Sequence, residues 1–147
     1  MTTYRVLIAT VFLTSTALAV DPIVWERLDS VINSHTVRLV SEKGETNTFT
    51  LACVGQVTNE EAAVAFIGKK LGGRKLQYWP INTAQTNWMS RPMCIFYDFE
   101  RKRGGSTVSD FPMLNEEMLK RGLGTFADTE VVDDQYGLKD RLRRAAK

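Results

Sequence analysis

Two β-rich runs joined by a short turn constrain this chain more than any other feature. Thr36–Ser41 carries Val37 and Leu39 on one face, and Thr48–Val54 carries Phe49, Leu51 and Cys53 on one face. Between them Glu42-Lys43-Gly44-Glu45 places a glycine where the backbone must reverse. The alternation and the turn predict a hairpin. A helix follows. Thr58 and Glu61 have capping-box spacing, and Ala63, Ile67 and Leu71, with Phe66 alongside, recur at helical spacing. Lys69 and Lys70 suit the negative end of the helix dipole, and Gly72-Gly73 ends the helix.

Downstream, Lys75–Trp79 reads as a short strand ended by Pro80. Met93–Phe99 reads as a strong strand, with Met93, Ile95, Tyr97 and Phe99 on one side and Cys94 and Phe96 on the other. Leu114–Arg121 is expected as a helix carrying Leu114, Met118 and Leu119, closed by a Schellman turn at Gly122-Leu123. A third helix is expected from about Asp133 to the C-terminus, acidic at its start and basic at its end. Trp25–Ile32 reads as a strand or a lead-in to one. This order suggests an α+β fold, a five-stranded OB-type barrel with three helices, although periodicity alone leaves other α+β arrangements open.

The first residues are expected to be a targeting segment. Arg5 precedes an apolar run, Val6 to Leu13, and Ala17-Leu18-Ala19 has the small-x-small form of a cleavage site. The layout predicts a signal peptide at 1–19 and a single domain at 20–147, with the product secreted or periplasmic. A short membrane anchor is the alternative, but the run is too short to span a bilayer, so no membrane span is expected after cleavage. The full chain of 147 residues has a net charge of +2, and loss of Arg5 leaves one cation fewer. That is not the basic excess of an electrostatic nucleic-acid binder. Arg101-Lys102-Arg103 and the basic run from Lys139 to Lys147 read as solvated surface. Cys53 and Cys94 would meet an oxidant on export, which favours one disulfide worth about 4 kcal/mol at most; two buried thiols are the alternative. With one histidine in the chain, a His/Cys zinc site is not expected.

Three stretches resemble the staphylococcal-nuclease, or thermonuclease-like, family. Val31-Ile32-Asn33-Ser34-His35-Thr36-Val37-Arg38-Leu39 is similar to its opening V-x-D-G-D-T-V-x-L. Thr86–Tyr97, containing Ser90-Arg91-Pro92, is similar to D-x-Y-G-R-x-L-A-x-V-Y. Leu114–Leu123 is similar to V-N-x-x-L-V-x-x-G-L, and Phe49–Gly55 sits where the family has F-R-L-x-x-V-D. The resemblance implies a five-stranded OB barrel with three helices, in which Cys53 and Cys94 come within bonding range.

The resemblance also implies a lost active site. Hydrolysis of a phosphodiester with a hard cation needs clustered carboxylates, a group that handles water, and cations on the phosphate. The family's first-motif aspartates correspond here to Asn33 and His35, its first arginine to Thr50, and its second calcium aspartate to Gly55. Gly55-Gln56-Val57-Thr58 stands where the D-x-P-E stretch supplies a glutamate; Glu60 or Glu61 could swing into that gap. Arg91 alone is retained from the charged set. The calcium site is therefore expected to be lost, with no cofactor. His35 and Arg91 remain as the pair for a metal-free phosphodiesterase. Asn33, Thr50, Tyr78 and Trp88, with Trp79, are the candidate ligand contacts, the aromatics by stacking. Three functions follow as expectations. The first is a non-catalytic binding module for a nucleic acid, a protein or an envelope component. The second is a nuclease with a rearranged site. The third is an assembly protein, favoured if Phe96–Phe99 or Phe111–Met113 forms an exposed apolar patch.

Overall fold

A computed structural model of the chain describes residues 26–80, 92–98, 111–128 and 137–147. It is a mixed α+β structure with two small antiparallel sheets and three helices among the described residues, and neither sheet closes on itself. The first sheet contains β1 (Glu26–Asn33), β2 (Thr36–Ser41) and β3 (Thr46–Thr50), in that order. The second pairs β4 (Gln77–Pro80) with β5 (Met93–Phe96). The helices are α1 (Glu60–Leu71), α2 (Leu114–Lys120) and α3 (Leu138–Ala145). No helix among the described residues is long and apolar enough to cross a membrane.

Single bridges link the two sheets at both sides. Glu26 pairs with Leu76 in antiparallel sense, with hydrogen bonds in both directions, and Leu51 pairs with Met93 in parallel sense. The expected hairpin forms, with Val37 opposite Phe49 and Leu39 opposite Asn47. Its second strand is shorter than expected, because Cys53 takes a left-handed backbone (φ 58°). That conformation costs a residue with a Cβ roughly 1–2 kcal/mol. It also breaks the alternation. Phe49 and Leu51 enter one core cluster, while Cys53 turns into the other beside Ala52.

β5 separates these clusters. Met93, Ile95 and Tyr97 join Val37, Leu39, Phe49 and the α1 residues Ala63, Ile67 and Leu71; Cys94 and Phe96 join Met113, Leu119, Leu138 and Leu142. The two faces alternate as expected through Tyr97, but the strand itself ends at Phe96, short of the expected Phe99, and Asp98 takes a left-handed backbone; Phe99 lies outside the described residues. Each fully buried aliphatic or aromatic side chain in such a core contributes about 1.5–3 kcal/mol. Phe96, Tyr97 and Met113 are buried and Phe111 is half-buried, so these residues form no exposed apolar patch.

Two helix boundaries differ from expectation. The α1 N-cap is Asn59, whose Oδ1 accepts from Ala62 N–H at 3.0 Å; Thr58 and Glu61 form no capping box. Asn59 outcompetes Thr58 because its carbonyl oxygen satisfies an otherwise orphan N–H of the first turn. α2 ends in the expected Schellman motif: Leu123 N–H donates to Met118 O, Gly122 N–H donates to Leu119 O, and Gly122 is left-handed. α3 begins at Leu138 rather than near Asp133, with Gly137 left-handed at its N-cap; Asp133 and Asp134 lie outside the described residues. The basic run on α3 is partly structural. Lys139 pairs with Asp128, Arg141 with Glu116, and Arg143 with Asp140.

Candidate functional site

The residues that the sequence singles out as Asn33, His35, Thr50 and Gly55 meet at one end of the first sheet. Asn33 pairs with Thr36 across a two-residue turn, Ser34-His35, which joins β1 to β2. Thr36 pairs with Thr50, and Leu51 N–H donates to His35 O at 2.7 Å. The turn therefore sits against the exit of β3, from which the chain runs on to Gly55.

Hydrogen bonds within the protein occupy this corner. Asn33 Oδ1 accepts from His35 N–H at 2.9 Å. Glu60, in the first turn of α1, accepts from Ser34 N–H through Oε1 at 2.6 Å. His35 Nδ1 lies 2.8 Å from Ser34 Oγ, and His35 Nε2 lies 2.5 Å from Gly55 O. A carbonyl only accepts, so Nε2 carries a hydrogen and donates. Nδ1 then exchanges one hydrogen bond with the Ser34 hydroxyl. The Ser34 hydroxyl, the Ser34 N–H and, to a smaller extent, the His35 charge hold the Glu60 carboxyl below its ordinary value, against a small opposing effect of desolvation. Glu60 thus does reach the Ser34 turn beside the short Gly55–Thr58 segment, although Glu60 and Glu61 are both exposed. Ser34 is fully buried.

Gly55 stands where the resembled family has an aspartate, and packing explains the residue. Its N–H donates to Thr125 O at 2.7 Å. A Cβ at this position would lie 3.0 Å from Ala127 Cβ and 3.1 Å from Thr125 Oγ1. The segment 125–127 fills the volume that a side chain at 55 would need.

Calcium is the ion that the resemblance implies for this corner. Such an ion gathers six to eight oxygens. Three oxygens of this corner, Asn33 Oδ1, Glu60 Oε1 and Gly55 O, accept from His35 N–H, Ser34 N–H and His35 Nε2. Among the described residues no three His, Cys, Asp or Glu side chains converge.

The other sequence-derived site residues separate from this corner. Tyr78 is not an open stacking platform. It is half-buried, its ring lies 4.4 Å from that of Phe49, and its hydroxyl donates to Glu26 Oε1 at 3.3 Å. Burial, and then the neighbouring Glu26, push its phenol up to about 12. Trp79 is exposed, as expected. Arg91 and Trp88 lie outside the described residues. Cys53 and Cys94 are both buried and are not joined by a disulfide.

Sequence reasoning assigned no role to Asn115 or to Glu26. Asn115 is fully buried on α2; its Oδ1 accepts from Ile95 N–H at 3.0 Å, and its Nδ2 donates to Ala52 O and Met93 O at 2.9 and 3.0 Å. An asparagine amid apolar helix positions was the available signal. Glu26 is 2% exposed, and its Oε2 has no partner among the described residues. Burial raises its carboxyl above the ordinary value, and hydrogen bonds from Tyr78 and Asn47 only partly offset this. Outside this corner, a cleft of about 430 Å³ opens between Arg27, Val40, Ser41, Glu42 and Lys75. No family model matches the chain, and no curated protein matches it.

Proposed function

We propose that this chain is an exported, staphylococcal-nuclease-like OB domain that binds a ligand and does not hydrolyse it. Isolated bridges join the β1-β2-β3 sheet to the β4-β5 pair, parallel at Leu51–Met93 and antiparallel at Glu26–Leu76, and this connection supports the barrel reading. One observation carries the functional reading. The groups that would have to work on water or an ion are engaged within the protein: His35 bonds Gly55 O and Ser34 Oγ through its two ring nitrogens, and Glu60 Oε1 accepts from Ser34 N–H. A hydrolytic site needs those groups turned toward a substrate. Here they fasten the β1–β2 turn to α1 and to the strand exit, as a structural clasp does.

The ligand is an oligonucleotide, a protein or an envelope polymer. The exposed Trp79, and the cleft lined by Arg27, Lys75 and Glu42, are the candidate contact surfaces for such a partner. The second reading is a phosphodiesterase that keeps His35 as base and Arg91 as phosphate clamp. The Glu60–Ser34–His35 chain favours it, since it couples the imidazole to a carboxylate.

Labelled single- and double-stranded DNA and RNA separate the two. Incubated with the purified chain, with and without calcium, they should remain intact, and Arg91→Ala should change nothing in the cleavage lane. Retarded migration that weakens steeply with salt would assign the ligand to nucleic acid. No retardation would assign it to a protein or envelope polymer. Cleavage lost on Arg91→Ala and on His35→Gln would establish the phosphodiesterase instead.

A further inference from the structure

Cys53 and Cys94 stand on neighbouring backbones held in fixed register. Leu51 bridges Met93 in parallel sense, and Ala52 N–H donates to Met93 O at 2.9 Å. Asn115 then ties the same two segments together through Ala52 O and Met93 O. Each cysteine is one residue beyond a member of this junction. The hydrogen bond from Ala52 to Met93 sets the two backbones side by side, and a disulfide needs Cα atoms about 4.4–6.8 Å apart.

Direction matters as much as distance. Regular alternation would send the Cys53 side chain to the Leu51 face of the segment, away from Cys94. The left-handed backbone at Cys53 reverses this. Both thiols belong to the cluster formed with Phe96, Met113, Leu119, Leu138 and Leu142, and both are essentially inaccessible to solvent. A residue with a Cβ is rarely held in that conformation unless its surroundings require it.

We propose that Cys53 and Cys94 are a modification site, an intrachain disulfide pair that locks the β3 exit onto β5. Bond formation removes one hydrogen from each thiol. One thiolate attacks a disulfide of an external dithiol–disulfide donor, releasing a donor thiol and forming a mixed disulfide. The second thiolate displaces the remaining donor thiol, closing Cys53 Sγ–Cys94 Sγ. The donor takes up both electrons and both protons. Because α2 and α3 cover the pair, exchange proceeds while the chain is open, before these helices pack. Once they pack, the bond is shielded from reductants. This chemistry is independent of whether the domain binds a ligand.

The test refolds the full chain from denaturant in a buffer of reduced and oxidised glutathione, then alkylates it in denaturant and weighs it intact. The expected product is a single chain lighter by two hydrogen atoms that takes up no alkylating agent and yields a cross-linked peptide pair containing residues 53 and 94. Denaturant with reductant should lower its unfolding midpoint, while a Cys53→Ala/Cys94→Ala double variant should show the same midpoint with and without reductant. If refolding gives aggregate, the natively purified chain held with oxidised glutathione in sub-denaturing urea supplies the second measurement, with the same product expected. A folded chain that still takes up two alkyl groups after either treatment overturns the proposal. So does a product that carries glutathione on each cysteine or links only between chains.

Discussion

Replacing Asn115 by leucine should remove a large part of the stability of this domain. β3 ends at Thr50 and its continuation touches β5 only at Leu51–Met93 and Ala52–Met93. Between that contact and the Phe96–Met113 bridge, the Ile95 N–H donates to the Asn115 amide, which stands in for a strand partner. Leucine has nearly the same shape and no polar atoms. Met93 O would keep its bond from Ala52 N–H, but Ile95 N–H and Ala52 O would lose their Asn115 partners in a buried site. A buried group left unsatisfied costs about 1–3 kcal/mol, so the pair costs about 2–6 kcal/mol. The whole stability of a small domain is about 5–15 kcal/mol. Asn115→Asp keeps an acceptor for Ile95 N–H but turns a carboxylate toward two carbonyl oxygens, and should cost at least as much. Urea unfolding of both variants, with the slope unchanged, measures the loss. Hydrogen exchange at Ile95 localises it. A cost for Asn115→Leu below about 1 kcal/mol, with Ile95 still protected, would show that the amide is not what holds this edge.

Three further outcomes are expected. The Glu26 carboxyl is raised by burial, so the stability it contributes is complete below the ordinary carboxylate value and is lost as pH rises through its raised folded value. The midpoint of Glu26→Gln should therefore gain on wild type from acidic to neutral pH; a gap that does not change with pH would rule this out. Glu60 has the opposite sign. Its lowered carboxyl contributes stability above the ordinary value that is lost as pH falls through the lower folded one. Wild type should thus lose its advantage over Glu60→Gln on acidification, and an advantage that persists once the carboxyl is protonated would contradict it. Gly55→Ala should cost about 1–3 kcal/mol in urea unfolding, because its Cβ would press on Ala127 and Thr125; a neutral effect would mean that the 125–127 segment can move aside.

Much of this architecture was legible in the residues because each piece had a local cause. The hairpin at Thr36–Thr50 follows from alternation and a turn glycine, the two-faced strand at Met93–Phe96 from apolar residues at every position, and the end of α2 from Gly122. What was not legible depended on distant partners. Nothing local to Cys53 announces a left-handed residue, and its alternation predicts the wrong face. Thr58 and Asn59 are both good caps by type, and only the backbone path decides between them. At the site, that no carboxylate stands at positions 33, 35 and 55 could be read directly from Asn33, His35 and Gly55. That His35 would reach back to Gly55 O, or that Glu60 would close on Ser34, required a short connection between β3 and α1 to be folded in three dimensions. The lone acid at Glu26 and the lone amide at Asn115 became informative only once both were found inside the core.

The hydrogen on His35 Nε2 decides between a closed clasp and a working site. The chain has a single histidine, so ring nitrogen signals of tag-free, ¹⁵N-histidine-labelled protein report on this residue alone. Nε2 should carry a slowly exchanging hydrogen coupled to Gly55 O, and adding calcium should leave both ring signals in place. Ring signals that move saturably with calcium, or an Nε2 without its hydrogen, would mean that the imidazole faces a ligand instead of its own backbone.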